Sequence, residues 1–334
     1  MTFQLPLPFA DPELAAVLSA RLDLVEERLR GAVAHQDLLA DSASRHLVNA
    51  GGKRLRSMLT LLTAQLGEGQ RPEVIDAAVV VELTHLATLY HDDVMDSAPL
   101  RRGAPTAHEV WGNSVAILTG DLLFARASRV VAGLGPEAVR IQAETFERLC
   151  LGQLHETVGP GPGDDPIEHY LQVLADKTGS LIATAARFGA MFAGCEPPVV
   201  HQVTSYGELA GVAFQLADDV IDVRSAAAVT GKTPGTDLRE RVATMPVLLL
   251  RARVASHAAA EDAALLAAID GDLTDDAQLA QVVSALGRHS VVDETSEKAR
   301  SWGDQAIDAI DGLAPGDVKD ALVAFAEELV ARAG

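Results

Sequence analysis

The sequence predicts an all-α protein, built as a single large helical bundle around a central cavity. Apolar residues recur at helical spacing along almost all of the 334 residues, and no segment shows the alternation typical of a strand. Ala, Leu and Val are abundant and aromatic residues make up only 4% of the chain, a composition that favours helices. Because 48% of the residues are hydrophobic, we expect one domain with a large core over residues 1–334.

Helix positions follow from the apolar spacing and from breakers. The first helix starts after Asp11-Pro12, where apolar residues repeat every three or four positions up to Leu29. The segment 74–96 is apolar on nearly every face, which predicts a helix buried inside the bundle. Gly/Pro-rich stretches such as 133–136 and 159–163 separate helices. Further helices are predicted over 38–48, 55–66, 107–132, 136–157, 167–192, 197–224, 242–258, 261–270, 275–287, 290–311 and 315–332.

Charge and cysteine content restrict the class of protein. The net charge is −20, and an acidic surface repels phosphate backbones, so no nucleic-acid partner is expected. Cys150 and Cys195 are too few for a disulfide framework or a zinc site and fit a reducing cytoplasm. Residues 1–10 lack the basic start of a signal peptide, and no uncharged apolar run reaches membrane-spanning length. We therefore expect a cytoplasmic protein.

Two DDxxD motifs, at residues 92–96 and 218–222, carry the chemistry. In a helix the first and fifth residues of each motif share one face, where like charges repel unless a cation lies between them. Carboxylate oxygens are the ligands that Mg²⁺ prefers, together with water and substrate phosphates. A solvated acidic face is the alternative, but each motif follows an apolar stretch, where aspartate is costly. The pair predicts magnesium ions that bridge the aspartates to a diphosphate.

Cations accompany the acidic motifs. The GGKRLR segment at 51–56 places two glycines and three cations at a helix start, where free N–H groups and the helix dipole favour an anion. Read alone, that segment could be an ordinary turn with surface cations. Arg101 and Arg102 follow the first motif, and the arginine fork suits phosphate; Lys177 and Lys232 add two more cations. In so acidic a chain, this placement predicts an anion-binding site.

Taken in order, these motifs resemble the trans-isoprenyl (polyprenyl) diphosphate synthases, long-chain type, from about residue 20 to residue 330. The matching segments are GGKRLR, ELTHLATLYHDDVMD, RRG, KTGSL, GVAFQLADDVID and GK-x-x-GTDLRE. The resemblance implies the isoprenoid synthase fold, a homodimer, and head-to-tail chain elongation. In that reaction an allylic prenyl diphosphate ionises, its carbocation alkylates isopentenyl diphosphate, and a proton is lost. No side chain stands out as the base, so the released diphosphate is the expected one.

The resemblance also implies roles for individual residues. Six aspartates would hold Mg²⁺ on the allylic diphosphate: Asp92, Asp93, Asp96, Asp218, Asp219 and Asp222. That diphosphate would also contact Arg101, Lys177 and Lys232, while isopentenyl diphosphate would bind Lys53, Arg56, His85 and Arg102. Thr178 and Gln215 would give polar support, and Phe214 would line the reacting carbons. The catalytic set expected on this basis is Asp92, Asp93, Asp96, Lys177, Asp218 and Asp219.

Two positions depart from the family pattern. Ser57 stands where the family usually has proline after the GGKR segment, a change expected to be mild. Arg241-Val242 stands where the family usually supplies a further phosphate-binding lysine. We expect Arg241 to replace that lysine in part, so one allylic-site cation differs while the reaction does not.

Product length is expected to depend on the helix that leads into the first motif. Short-chain members carry a bulky aromatic at the fifth or fourth position before the first aspartate, where this chain has Ala87 and Thr88. With Thr84 and Val81 these small residues would line a groove of about 16 Å between Thr88 and Ala77, at about 1.5 Å per residue. A heptaprenyl to decaprenyl product is predicted. A floor from Phe192, Met191 or Phe146 would instead give geranylgeranyl diphosphate.

Two rival functions belong to other classes. A class I terpene cyclase typically has one DDxxD motif and needs no second diphosphate site, so the GGKR segment, Arg102 and the second motif argue against it. A non-catalytic regulatory subunit would be expected to lose aspartates, and all six are present. A long prenyl product would need transient membrane contact, or a partner, for its release.

Overall fold

The computed structural model describes residues 11–224, 235–257 and 259–331. The first helices are α1 (Pro12–Val33), α2 (Leu38–Asn49), α3 (Leu55–Ala64), α4 (Pro72–Met95), α5 (Ala107–Trp111), α6 (Asn113–Ala132) and α7 (Pro136–Val158). They are followed by α8 (Pro166–Leu174), a π-helical turn (Ala175–Gly179), α9 (Ser180–Phe192), α10 (Pro197–Arg224), α11 (Thr236–Arg239), α12 (Met245–Ser256), α13 (Ala260–Ile269), α14 (Asp276–Gly287), α15 (Ser290–Ala309) and α16 (Asp317–Ala331). The predicted all-α class is confirmed.

Two compact units make up the structure. The first comprises the described residues of Met1–Leu149, Ser180–Glu208 and Ala309–Phe325; the second comprises those of Cys150–Gly179, Leu209–Asp308 and Ala326–Gly334. In the first unit α4 packs against α1, α3, α6 and α9. The single domain expected from the sequence stays a prediction.

Each unit has its own apolar core. In the first unit, buried residues of α4, α6, α7 and α9 form the deep apolar cluster: Ala77, Val80, Val81, Val131, Ala138, Ile141, Leu149, Leu181, Ala185 and Phe188. Phe146, Met191 and Phe192 are partly buried against this cluster. In the second unit the core gathers around the end of α10, with Leu216 and Val220 packed among residues of α8, α12, α14 and α15.

Helix α4 is the one described helix that is long and apolar enough to cross a membrane by length and composition. However, 72% of its apolar window is buried inside the protein, as in a core helix. Its low amphipathicity therefore reflects packing on several sides, which agrees with the buried helix predicted over 74–96.

Local breaks differ from the sequence-based expectation. The helix predicted over 107–132 is interrupted at Gly112, whose φ of +83° favours glycine. The helix predicted over 167–192 contains the π-helical turn at Ala175–Gly179. A two-residue hairpin, β1 (Leu100–Arg101) with β2 (Ala104–Pro105), also forms, although it is too short to produce strand periodicity.

Candidate active site

The first DDxxD motif lies at the C-terminal end of α4. Asp92 and Asp93 belong to the last turn, and Asp96 is the residue that ends the helix, with its N–H bonded to Asp92 O. Asp92 is half-buried, Asp96 is exposed and Asp93 is buried. A helix carries partial negative charge at this end, so three carboxylates here produce a strongly cation-attracting site.

Within this motif Asp93 is held by the protein. The Arg101 guanidinium, on hairpin strand β1, donates from Nε to Asp93 Oδ1. Burial raises the pKa of Asp93, although the neighbouring Arg101 opposes the change. Among the described residues no donor reaches Asp93 Oδ2. Asp93 therefore positions Arg101, while Asp92 and Asp96 are the more accessible carboxylates.

The second motif repeats this division of burial in the second unit. Asp219, in α10, is buried and accepts a hydrogen bond of 2.8 Å from Tyr170 Oη and one of 3.2 Å from Met245 N. Burial raises the pKa of Asp219 well above its usual range. Asp218 and Asp222 are half-buried. In both motifs the second aspartate is buried and accepts hydrogen bonds from protein donors, while the first and last are half-buried or exposed.

The GGKRLR segment and the residue Arg102 form a cation cluster in the first unit. Arg102 Nη1 donates to Gly51 O, and a Cβ on Gly52 would lie 2.7 Å from the Arg102 guanidinium carbon, so glycine permits the approach. Arg56 Nη1 lies 3.4 Å from His85 Nε2. Burial and the charges of Arg56 and Arg102 lower the pKa of His85 well below its usual range. Arg56 thus lies beside His85 and Arg102 is close enough to affect the pKa of His85, while the binding of isopentenyl diphosphate by Lys53, Arg56, His85 and Arg102 stays a prediction.

Arg54, the second of the three cations of that segment, has a different environment. Its side chain is only 1% exposed and donates to Glu26 and, at 2.8 Å from Nη1, to Glu82. Ser57 Oγ donates to Glu82 Oε2 at 3.3 Å, so serine at the family's proline position adds a contact to this network. Arg54 therefore belongs to a buried ion-pair network, and the sequence pattern alone did not separate it from Lys53 and Arg56.

Lys177 and Thr178 lie on the π-helical turn of the second unit. Lys177 Nζ pairs with Glu156, and Thr178 Oγ1 lies 3.3 Å from Gln215 Oε1 on α10. Gly152 of α7 lies so close to the turn that a Cβ at this position would be 2.7 Å from the backbone nitrogen of Lys177. The turn brings Lys177, Thr178 and Gln215 together, and π-bulges of this kind are frequent at functional sites.

Two predicted cations have a different outcome. Lys232 lies outside the described residues. Arg241 has a φ of +62°, and its Nη2 lies 3.4 Å from Gly271 O. Its guanidinium is thus directed to the end of α13, and replacement of a family lysine by Arg241 stays a prediction.

The four predicted chain-length residues lie on α4, and one of them, Val81, belongs to the deep apolar cluster. Ala87, Thr84 and Val81 are buried and Thr88 is half-buried. Thr84 Oγ1 donates to Val80 O at 2.8 Å, and Thr88 Oγ1 donates to His85 O at 2.8 Å. Because these hydroxyls bond to the helix backbone, the threonines offer methyl groups to their surroundings.

Comparisons with known proteins show the family of the chain. A family model described as polyprenyl synthetase matches residues 37–286. Nonaprenyl diphosphate synthase of Mycobacterium tuberculosis is 42% identical over 325 residues, which is 97% of this chain and 96% of that protein. The structure of geranylgeranyl pyrophosphate synthase from Corynebacterium glutamicum, complexed with calcium and isoprenyl diphosphate, has a TM-score of 0.86 at 42% identity and covers 98% of this chain and 99% of that one.

A decaprenyl diphosphate synthase from Rhodobacter capsulatus is also similar, with a TM-score of 0.85 at 32% identity over 96% of this chain and 99% of that one. The similarity extends over nearly the full length of each of these relatives. The chain therefore belongs to the polyprenyl synthetase family and is a trans-prenyltransferase.

Proposed function

We propose that this enzyme adds isopentenyl diphosphate units to an allylic prenyl diphosphate and releases a long all-trans polyprenyl diphosphate of seven to ten isoprene units. The observation that carries the proposal is the wall of α4 behind the first motif. Ala87 is fully buried and small, and the hydroxyls of Thr84 and Thr88 are turned back to the helix. An apolar chain can pass such a wall without desolvating a hydroxyl.

The donor set fits magnesium as the cofactor. Asp92, Asp96, Asp218 and Asp222 offer hard carboxylate oxygens on partly accessible side chains. Within the described part of the chain, no three His, Cys, Asp or Glu side chains converge into a preformed metal site. Magnesium accepts one or two carboxylates and completes its shell with water and substrate phosphates, so an incomplete protein shell suits it. When bound, Mg²⁺ neutralises charge that develops on the leaving diphosphate.

The chain's own residues would perform the remaining tasks. Arg56 and Arg102 would bind the diphosphate of isopentenyl diphosphate, and neutral His85 could donate one further hydrogen bond to it. Lys177 would approach the allylic diphosphate and stabilise its departure. Thr178, Gln215 and Phe214 would shape the site around the reacting carbons. The buried apolar surroundings would keep water from the carbocation.

Incubating the purified chain with Mg²⁺, isopentenyl diphosphate and farnesyl or geranylgeranyl diphosphate tests the reaction and the product length together. We expect products of seven to ten units, identified by mass spectrometry after dephosphorylation. Asp92→Ala and Asp218→Ala should each abolish turnover. Asp76→Ala is the matched control, because Asp76 lies on the same helix as Asp92 but pairs with Arg28 at 2.7 Å. Product that stops at four units would establish the geranylgeranyl alternative.

We propose that the enzyme is a cytoplasmic homodimer. Exposed apolar side chains on α5 and α6 of the first unit support an interface: Val110, Ile117 and Leu118 are 48%, 42% and 65% exposed. Leu118→Asp should shift the mass measured by light scattering from dimer to monomer. A monomeric wild-type protein would contradict this part of the proposal. Transient membrane contact for product release would appear as faster turnover with added lipid vesicles.

A further inference from the structure

One buried amide in the first unit lacks a partner. The Gln142 side chain, on α7, is 7% exposed, and no donor among residues 11–224, 235–257 and 259–331 reaches its Oε1. A carbonyl buried without a hydrogen bond is destabilising, so most proteins avoid one. The position therefore needs an explanation beyond packing.

The neighbours of Gln142 on α7 define the face that it occupies. Ala138, Thr145 and Leu149 lie four positions before it and three and seven positions after it, so they share its side of the helix. All three are buried, and Ala138 and Leu149 belong to the deep apolar cluster with Val81 of α4. Gln142 is thus on the helix face that turns towards the proposed path of the prenyl chain.

Contacts on the motif side of Gln142 set its depth. One turn after it, Phe146 packs its ring 3.9 Å from that of Phe124 on α6. Phe124 in turn lies 6.1 Å from the ring of His91, which directly precedes the first DDxxD motif. The ring contacts therefore lie between Gln142 and the end of α4 where the reaction is proposed.

The residues of α7 that precede Gln142 contact the part of the deep apolar cluster that is farthest from the first motif. Ile141 and Ala138 pack in the same apolar cluster as Ala77, Val80 and Phe188. Ala77 is fifteen positions before Asp92, about 22 Å along the helix at about 1.5 Å per residue. Gln142 thus lies within the deep apolar cluster, which extends along α7 from Ala138 before it to Leu149 after it.

Other buried polar side chains near Gln142 have hydrogen-bond partners within the protein. Thr145 Oγ1 donates to Ile141 O at 2.8 Å and lies 2.6 Å from Thr184 Oγ1 of α9. Thr184 Oγ1 lies 2.9 Å from Ser180 O, and Thr84 bonds its own helix as described above. These hydroxyls therefore require no hydrogen bond from a ligand, whereas the Gln142 carbonyl lacks a donor.

We propose that Gln142 is a polar stop that determines product length, an inference that rests on the proposed long-chain elongation. While the path contains water, a water molecule can donate to Gln142 Oε1. A prenyl chain that reaches this level displaces that water and can donate no hydrogen bond in return. Each condensation that extends the chain past Gln142 is therefore slower than those before it.

Substitutions that separate polarity from volume test the stop. Gln142→Met keeps the approximate shape and removes the polar group, and should lengthen the main product by at least one isoprene unit. Gln142→Glu should shorten it, because a carboxylate is harder to desolvate. Gln202→Met is the matched control: Gln202 lies on α10, its Oε1 also lacks a donor in the described chain, and its amide packs against Gly312, between α15 and α16. That variant should keep the wild-type product.

The possible results separate a failure of the polar stop from a failure of the proposed long-chain activity. If Gln142→Met keeps the wild-type product, or if only Gln142→Ala lengthens it, side-chain volume and not polarity sets the length and the polar stop is wrong. A similar shift in Gln202→Met would also overturn it. If the wild-type enzyme makes no long product, the proposed function itself fails. Thermal unfolding controls for folding, and Gln142→Met should melt no lower than wild type, because it removes an unsatisfied buried carbonyl.

Discussion

Replacing Arg54 by methionine is expected to lower the free energy of unfolding by about 3–5 kcal/mol. Arg54 is 1% exposed, and its two carboxylate partners are 5% and 2% exposed. Methionine would fill much of the space but leave Glu82 buried without its cation, and Glu26 with only the exposed Arg30, 3.6 Å away. Breaking a buried pair in this way costs far more than the intact pair contributes.

The loss of stability on breaking both ion pairs of Arg54 is expected to be smaller than the sum of the two separate losses. Ser57 continues to donate to Glu82 at 3.3 Å after the change, which keeps one carboxylate partly satisfied. Removing the remaining charge should therefore reverse part of the loss. In the Arg54→Met background, Glu82→Gln is expected to recover about 1–3 kcal/mol, the cost of one unsatisfied buried group.

Urea unfolding, followed by far-ultraviolet circular dichroism, measures the effect. Arg56→Met is the matched control, because Arg56 is two residues away, half-buried, and placed beside His85 rather than between carboxylates. Arg56→Met should leave stability within about 1 kcal/mol and raise KM for isopentenyl diphosphate about 10- to 100-fold, as expected for a lost charged hydrogen bond. Equal stability losses in the two variants would refute the separation of a structural arginine from a substrate-binding one.

Three other perturbations address the site. Tyr170→Phe removes the 2.8 Å hydrogen bond to Asp219 and should reduce kcat about 10- to 100-fold while KM for isopentenyl diphosphate changes little; unchanged kcat would contradict a positioning role. The pKa of His85 is depressed in the fold, so below about pH 6.5 the unfolded chain binds a proton that the folded protein does not. The free energy of unfolding therefore decreases as the pH is lowered through this range. In His85→Gln, urea titrations should show a smaller fall; an identical slope would argue against a depressed pKa. Ala87→Phe should shorten the product, and an unchanged product would place the path elsewhere.

Local patterns in the sequence were sufficient for most helix positions. The buried helix α4 and the long helix α10 follow from apolar spacing and breakers. The predicted bounds of α4 differ from the observed ones by two residues at its start and one at its end, and those of α10 agree. The break at Gly112 and the π-helical turn at 175–179 were missed, because both lie within stretches whose composition remains helical. A single glycine or a short polar turn is too weak a signal when tertiary packing decides the backbone.

Site residues were harder to separate, because their partners are distant in sequence. The spacing of a DDxxD motif gives no reason to distinguish its aspartates. Asp219 nevertheless accepts a hydrogen bond from Tyr170, which lies 49 residues earlier in the sequence. Arg54 likewise pairs with acids 28 residues away on either side. No local pattern contains such pairings. Product length has the same difficulty, since α4 supplies only one wall of the path and Gln142 of α7 belongs to another.

The cation cluster has a thermodynamic consequence for the enzyme between turnovers. Burial lowers the pKa of both Arg56 and Arg102; the Glu82 carboxylate opposes this change, while at least one neighbouring arginine adds to it in each case. Burial and like charge thus disfavour the charged arginines despite Glu82, so a bound diphosphate would stabilise the native state as well as being a substrate group. A ligand at 100 times its Kd adds about 2.7 kcal/mol to native stability. Inorganic diphosphate, the by-product of every condensation, would therefore protect the protein against unfolding at the same concentrations at which it competes with isopentenyl diphosphate.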